Sequence, residues 1–160
     1  MLAPTTSRGF TIIELMLVLT LLAVVAAIAA PNFAGFVERN RAVTQAEALK
    51  ALLTYARGEA MINGNAIVVK PNNNGQWEAL LGNDVLRSLD NDPSQTTIRS
   101  DAAKVTFAAN GSAVAARFTV CIKDEPSTGY YLTVASTGAI TTFKQGVADV
   151  AGNPLKACTL

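Results

Sequence analysis

The sequence has 160 residues, half of them apolar, which suits one domain with an appendage rather than two full domains. Its 13 basic and 12 acidic side chains leave a net charge of +1, so we expect no general electrostatic attraction to nucleic acid or acidic substrates. The sequence contains no histidine and only two cysteines. Histidine-based catalysis, histidine-containing metal sites and a zinc site made by cysteines alone are therefore excluded.

The first predicted element is a long apolar helix. The run Leu15–Val37 contains no formally charged residue, and about 20 such residues are enough to span a bilayer. Arg8 precedes the run, with no acidic residue before it. The positive-inside rule therefore predicts a cytoplasmic N-terminus and export of the chain after Pro31.

Two simple interpretations fit this apolar run. One is a plain transmembrane anchor, and the other is a cleaved secretory signal, for which Ala27–Ala29 resembles the small-residue cleavage pattern. Neither explains Glu14, because a charge inside such a helix costs at least a few kcal/mol.

A third interpretation explains the acid. Gly9, Phe10 and Glu14, followed by the apolar run and Pro31, resemble the class III signal of type IV pilins and pseudopilins. The resemblance implies that residues 1–9 are a leader, that an inner-membrane prepilin peptidase cuts after Gly9, and that Phe10 becomes an N-methylated N-terminus. It also implies that the apolar helix is retained.

The retained helix, residues 10–37, is expected to serve first as a membrane span and then as part of a filament core, as the resemblance implies. A buried carboxylate without a partner in its own chain is costly. We therefore expect Glu14 to pair with the N-terminal amine of a neighbouring subunit. Proline weakens the preceding helical turn, so Pro31 either ends the membrane helix or, as we favour, kinks a longer one.

The pattern becomes amphipathic over residues 38–64. Apolar residues spaced three or four apart define one predicted helical face: Val43, Ala46, Leu49, Leu53, Ala56 and Ala60. Gly64 is the predicted helix stop. The stretch "RNRAVTQAEALKALLTYARGEAMINGN" resembles the GspH/FimT/FimU branch of minor pilins and pseudopilins, in which this helix leads into a β-rich domain.

Residues 65–160 are predicted to form that β-rich domain, which the resemblance places in the periplasm. "AIVVK" and "QWEALL" predict a hairpin, and residues 83–103 predict a long loop with one short strand. The following runs, from "KVTFAA" to "AITTFK", predict an antiparallel meander. The expected fold class is α+β: a long N-terminal α-helix packed on a C-terminal antiparallel sheet, the pilin fold.

Cys121 and Cys158 either form one disulfide or remain reduced. A disulfide would place the domain outside the cytoplasm and close a loop of about 37 residues, worth about 3–4 kcal/mol. Many type IV pilins carry a C-terminal disulfide loop, so the resemblance favours the oxidised form.

No convincing catalytic constellation is present, so we expect neither an enzyme nor a cofactor. Arg57 and Glu59, two positions apart, point to different sides of the helix and are expected to be solvated or interface charges. Trp77, Tyr130 and Tyr131 are expected to pack in the sheet. Asp90–Asp92 lacks the spacing and terminal glutamate of an EF-hand, so we expect a turn and no metal.

The leading functional hypothesis is a minor type IV pilin that helps to initiate pilus assembly near the tip. The expected partners are other minor and major pilins, the prepilin peptidase and the inner-membrane assembly platform. The subunit is expected to be a single-pass inner-membrane protein before assembly, and part of a cell-surface pilus or periplasmic pseudopilus afterwards.

Two alternatives remain. One is an H-type minor pseudopilin of a type II secretion system. The other is a DNA-binding minor pilin in natural transformation, which is weakly supported because only Lys144 and Lys156 are basic after Pro126.

Overall fold

The computed structural model describes the backbone of residues 9–92 and 94–160, and the side chains of these residues except 30, 31, 32 and 34. A single long helix, α1, spans Ile12–Asn63. The chain divides into two compact units, Met1–Val37 and Glu38–Leu160. Within the described residues of the first unit, α1 is the only regular element. All the strands belong to the second.

Among the described residues of the second unit, eight strands form two antiparallel sheets. In chain order they are β1 (Ile67–Pro71), β2 (Trp77–Leu81), β3 (Asp84–Ser88), β4 (Thr96–Ser100), β5 (Val105–Phe107), β6 (Ala116–Ile122), β7 (Tyr130–Val134) and β8 (Ile140–Thr142). A short 3₁₀-helix at Pro126–Thr128 separates β6 from β7. The strand orders are β3-β2-β1-β5 in the first sheet and β4-β6-β7-β8 in the second. The α+β fold class is therefore confirmed, with two sheets in place of one.

Both sheets share one hydrophobic core with α1. The helix contributes a buried stripe with steps of three and four residues: Ala42, Ala46, Leu49, Leu53, Ala56 and Ala60. The predicted face is correct except at Val43, which is exposed. The stripe instead begins one residue earlier, at Ala42, because a step of four to Ala46 keeps that position on the buried side.

The strands cover the other side of this core. Buried side chains come from both sheets, among them Val69 of β1, Phe107 of β5, Phe118 of β6 and Leu132 of β7. In β1, Ile67 and Val69 are buried, whereas Val68 between them is half-buried. One face of each sheet therefore supplies the core.

The helix stop at Gly64 and the first hairpin are confirmed. Gly64 has φ +64°, the left-handed conformation that glycine adopts most readily after a helix. Strands β1 and β2 pair antiparallel, with Val69 opposite Ala79. The turn between them is closed by Asn72, whose carboxamide oxygen accepts hydrogen bonds from the main-chain N–H groups of Asn74 and Gln76.

Two predictions about the later strands are wrong. The segment 83–103 holds two strands, β3 and β4, where a loop with one strand was expected. Both are polar edge strands, so their sequences lack the apolar alternation by which strands are recognised. The predicted meander also fails at its start, because β5 pairs with β1 in the first sheet. Of the strands in that predicted meander, only β6, β7 and β8 are consecutive neighbours.

Candidate assembly interface

The N-terminal part of α1 is an uncovered apolar surface. The segment Ile12–Ala29 has a mean hydropathy of 2.8, and none of it is buried. At 1.5 Å per residue these 18 residues extend about 27 Å, close to the thickness of a bilayer core. Such a surface is stable only when lipid or other apolar helices cover it.

Glu14 lies in the first turn of this helix. Thr11 immediately precedes the helix, and its hydroxyl oxygen accepts a hydrogen bond of 3.3 Å from the main-chain N–H of Glu14. Thr11 therefore acts as the N-cap, and the spacing Thr-x-x-Glu is that of a capping box. The positive end of the helix dipole also favours a carboxylate at this position. The "TIIE" motif in the sequence is the signal for this local support.

Gly9 and Phe10 precede the helix. Both are exposed, with 80% of Phe10 accessible, and a Cβ added at Gly9 would meet no atom within 4 Å. The bond between them is thus outside regular structure. Residues 1–8, the rest of the expected leader, lie outside the described residues.

The helix does not end at Pro31. Its backbone remains helical through this position and continues to Asn63. The bend expected at Pro31 stays a prediction.

The two cysteines form a disulfide. Cys121, near the end of β6, is joined to Cys158, with their Cα atoms 6.2 Å apart. Both residues are buried, in a small second hydrophobic cluster with Leu155. The bond therefore attaches the C-terminal segment to the second sheet.

Hydrogen bonds add to this attachment. The buried Thr119 hydroxyl donates a hydrogen bond of 2.7 Å to the carbonyl oxygen of Cys158. The main-chain N–H of Leu155 donates to the carbonyl oxygen of Gly146 at 2.8 Å. Gly129 packs beside the disulfide so closely that an added Cβ would lie 2.8 Å from the Cys121 Sγ. Only a residue without a side chain fits there.

Arg57 is a structural link that the sequence analysis did not identify. Its Nε donates a hydrogen bond of 3.0 Å to the carbonyl oxygen of Gly111, and its Nη2 one of 3.2 Å to that of Thr137. Gly111 lies in the turn that leads from β5 of the first sheet to β6 of the second, and Thr137 lies in the turn between β7 and β8. An added Cβ at Gly138 would lie 1.9 Å from the Gly111 oxygen, so the two turns are in close contact.

Glu59 has a purely local role. Its carboxylate accepts a hydrogen bond of 2.7 Å from the carboxamide of Asn63, one helical turn later. The pair Arg57 and Glu59 is therefore not brought together as a site.

The aromatic residues pack within the second unit. Trp77 is 3% exposed and meets the ring of Phe118 edge-on, with centroids 5.2 Å apart. Tyr130 is half-buried against the main core, and Tyr131 packs on the cluster around the disulfide. None of the three offers an open stacking surface.

The acidic segment Asp90–Asp92 lies just before β4. The Asp92 carboxylate accepts hydrogen bonds from the main-chain N–H and hydroxyl of Ser94 and from the carboxamide of Gln95. These bonds lower the pKa of Asp92 below its usual value, those from Ser94 most. Among the described residues, no group of three or more acidic or cysteine side chains is placed to hold a metal ion.

The two late lysines are both exposed and lie 12 residues apart in sequence. Lys144 follows β8, and Lys156 lies between Leu155 and the disulfide. No other basic residue follows Pro126 in the sequence, so the C-terminal segment carries only these two positive side chains.

Comparison with known proteins defines the class of this protein. Residues 5–30 match the prokaryotic N-terminal methylation motif. Residues 45–138, more than half of the chain, match the family described as type II transport protein GspH. The fold and the exposed N-terminal helix are those of a minor pilin or pseudopilin, and the chain belongs to the GspH family. This family consists of structural filament subunits, so assembly with other pilins is its shared property.

Two curated proteins are similar in sequence. Type II secretion system protein H of Xanthomonas campestris pv. campestris is 28% identical over 124 residues, which cover 73% of each chain. Type IV major pilin protein PilA of Myxococcus xanthus is 48% identical over 48 residues, 30% of this chain and 22% of PilA. The match to PilA therefore supports a likeness over these 48 residues alone.

Two solved structures share the fold. The type IV minor pilin FimU of Pseudomonas aeruginosa aligns with a TM-score of 0.60 and 22% identity, covering 72% of this chain and 98% of FimU. The minor pseudopilin EpsH of the Vibrio cholerae type 2 secretion system aligns with a TM-score of 0.52 and 15% identity, covering 66% and 98%. At these identities the likeness is one of fold.

Proposed function

We propose that this protein is a minor type IV pilin that helps to initiate pilus assembly and lies near the pilus tip. The observation that carries the proposal is the uncovered apolar segment Ile12–Ala29, which has a single acid, Glu14, in its first turn. Its partners are the apolar helices of other pilins. The prepilin peptidase and the inner-membrane assembly platform act on it beforehand, while its second unit faces the periplasm.

The proposal includes processing at the exposed N-terminal segment. Cleavage after Gly9 makes Phe10 the N-terminal residue, which is then N-methylated. The new amine lies one residue before the N-cap Thr11 and four before Glu14 in the sequence. Intact mass and N-terminal sequencing of the protein from its host should show methylated Phe10. A mature chain that begins near Ala30 would refute retention of the helix.

In the filament, the Glu14 carboxylate pairs with the amine of Phe10 from a neighbouring subunit. Glu14 lies in the first turn of α1, where the positive end of the helix dipole favours a carboxylate, so the cost of leaving it unpaired is smaller than for a mid-helix charge. The ion pair then adds to the free energy of assembly only in the register that brings the two charges together.

Two substitutions test the charge of Glu14. Glu14→Gln keeps the side-chain length and a hydrogen-bonding oxygen but loses the charge, whereas Glu14→Ala loses both. We expect both variants to insert into the membrane and both to be lost from sheared filaments. Glu47→Gln, which neutralises an exposed acid later in the same helix, is the matched control and should incorporate normally. Normal incorporation of Glu14→Gln would refute the ion pair.

An H-type pseudopilin of a type II secretion system is the second candidate, favoured by the GspH family match and by the similarity to the Xanthomonas protein. A deletion strain distinguishes the two. Loss of surface pili with intact protein secretion supports the minor pilin, and the reverse result supports the pseudopilin. Labelling of an epitope-tagged protein at pilus ends tests the tip location.

A further inference from the structure

The edge strand β4 has free main-chain hydrogen-bonding groups. It lies at one end of the second sheet and pairs only with β6, with Arg99 opposite Thr119. In the same register, the main-chain N–H of Asp101 donates to the carbonyl oxygen of Arg117. Because the bonded positions alternate in an antiparallel pair, Arg99 bonds to β6, while the N–H and C=O of Ile98 and Ser100 point the other way.

These outward groups have no main-chain partner within residues 9–92 and 94–160. An unpaired edge of this kind is a template for another strand. Natural proteins protect such edges with bulges, prolines or a covering segment, but the register of the β4–β6 pairing runs without a shift from Thr96 to Ser100.

A groove runs beside this edge. It has a volume of about 460 Å³, within the range of sites that bind small ligands. Pro71, Gly75 and the exposed edge of the largely buried Trp77 form one wall, and Ile98 to Ser100 form the other. Ala102 and Leu160 add apolar surface. An occupant would therefore meet apolar side chains on both sides and main-chain groups along one.

Arg99 is the only charged side chain among the described residues that line the groove. It forms an ion pair with Asp124 at 3.2 Å, in which the two side chains are 38% and 55% exposed. Pairs as exposed as this contribute little, so the guanidinium is available to a second carboxylate. The groove is thus complementary to an acidic partner.

We propose that this groove binds an extended, acidic segment of another protein, which adds as a strand to β4. The partner's main chain bonds to Ile98 and Ser100, its apolar side chains lie against Pro71 and Leu160, and a carboxylate lies beside Arg99. Strand addition takes its affinity from main-chain bonds and its specificity from pockets for alternate side chains. This site is independent of the helix-mediated assembly proposed above.

Trp77 provides a direct test because it is the only tryptophan in the chain. The full-length protein in detergent micelles is titrated with a capped hexapeptide that alternates valine and glutamate, and tryptophan fluorescence is followed. We expect a saturable change below about 1 mM peptide. The same peptide with N-methylated main-chain nitrogens, and a valine–lysine peptide, should give none.

Two protein variants locate the site. Ile98→Pro removes one outward N–H without removing a β4–β6 hydrogen bond, and should abolish binding. Arg99→Gln should weaken binding about 2- to 5-fold, the effect expected for one exposed ion pair. Arg87→Gln, which removes a cation from the edge strand β3, should bind like the wild type. Far-UV circular dichroism establishes that each variant is folded.

Several results would overturn the proposal. One is an unchanged fluorescence up to about 1 mM peptide, and another is equal binding of the N-methylated peptide. Wild-type affinity in a folded Ile98→Pro variant would place the peptide elsewhere. A fluorescence change that depends on protein concentration alone would identify a second copy of the chain as the occupant.

Discussion

The two parts of helix α1 use their apolar residues in opposite ways. Between Ile12 and Ala29 no residue is buried, whereas between Ala42 and Ala60 a continuous stripe is buried in the core. The second part finds its partners in its own chain, and the first part leaves its apolar surface to lipid or other subunits. The helical conformation alone therefore contributes little to stability. Most of the stability comes from packing of the apolar face against other elements.

Substitution of one leucine in each part is the strongest test of this difference. Leu53 is fully buried, and Leu21 is 63% exposed. Leu53→Ala should lower the free energy of unfolding by about 2–5 kcal/mol, because it leaves a cavity, whereas Leu21→Ala should leave it unchanged. Denaturant titration of the full chain in micelles, followed by Trp77 fluorescence, gives both values. Equal effects would contradict the division of the helix.

The disulfide should contribute the next largest effect. Replacing Cys121 and Cys158 together by alanine opens a loop with a sequence separation of 37 residues. The free energy of unfolding should fall by about 2–4 kcal/mol. The same denaturant titration measures it, and the wild type with added reductant is the control. A double variant as stable as the oxidised wild type would contradict this expectation.

Arg57 extends the comparison to a polar contact of the buried part. Arg57→Met keeps the apolar stem but removes the hydrogen bonds to Gly111 and Thr137. We expect a loss of about 1–2 kcal/mol in the free energy of unfolding, since both carbonyls lose a charged donor. Lys50→Met, at another half-buried position of the same helix whose ammonium makes only an exposed ion pair with Glu47, is the control and should change stability by less than about 0.5 kcal/mol. If the Arg57→Met variant is as stable as this control, solvent replaces both bonds.

Asp101 should give the smallest effect, visible only in acid. Burial acts to raise its pKa, but hydrogen bonds from the main-chain N–H and guanidinium of Arg117, with that cation's charge, outweigh burial and hold the pKa below its usual value. A lowered pKa stabilises the folded state above about pH 4 and loses that contribution as the pH falls through the folded-state pKa. Asp101→Asn should therefore show a shallower loss of stability as the pH falls below about 4. An unchanged slope would mean that the Arg117 contact does not stabilise the ionised form.

The sequence allowed prediction of those elements whose pattern is local. The apolar run, the i, i+3, i+4 spacing from Ala46 to Ala60 and the glycine at position 64 each depend on neighbours within one or two turns. The resemblance to pilins supplied the α+β arrangement. The expected assembly residue Glu14 lies in an exposed first turn. The "TIIE" motif is also a local pattern, and it predicts the helix start at Thr11.

The remaining features depend on contacts that are distant in sequence. The sequence of β5 resembles the first strand of a meander, yet this strand pairs with β1, almost 40 residues earlier. The choice of partner depends on packing within the sheet, which the local sequence of β5 does not reveal. Strands β3 and β4 carry polar residues on both faces, so periodicity could not reveal them. Arg57 contacts turns 54 and 80 residues away. The spacing of residues within α1 predicts neither contact.

The link between Cys121 and Cys158 has a mechanical consequence. If the chain is stretched from its two ends, the residues between the two sulfur atoms carry no tension while the bond is intact. About 130 Å of extended chain is therefore withheld from any elongation, including strands β7 and β8. Load passes instead from β6 directly to the last residues, so a subunit under pull would yield in its other strands first.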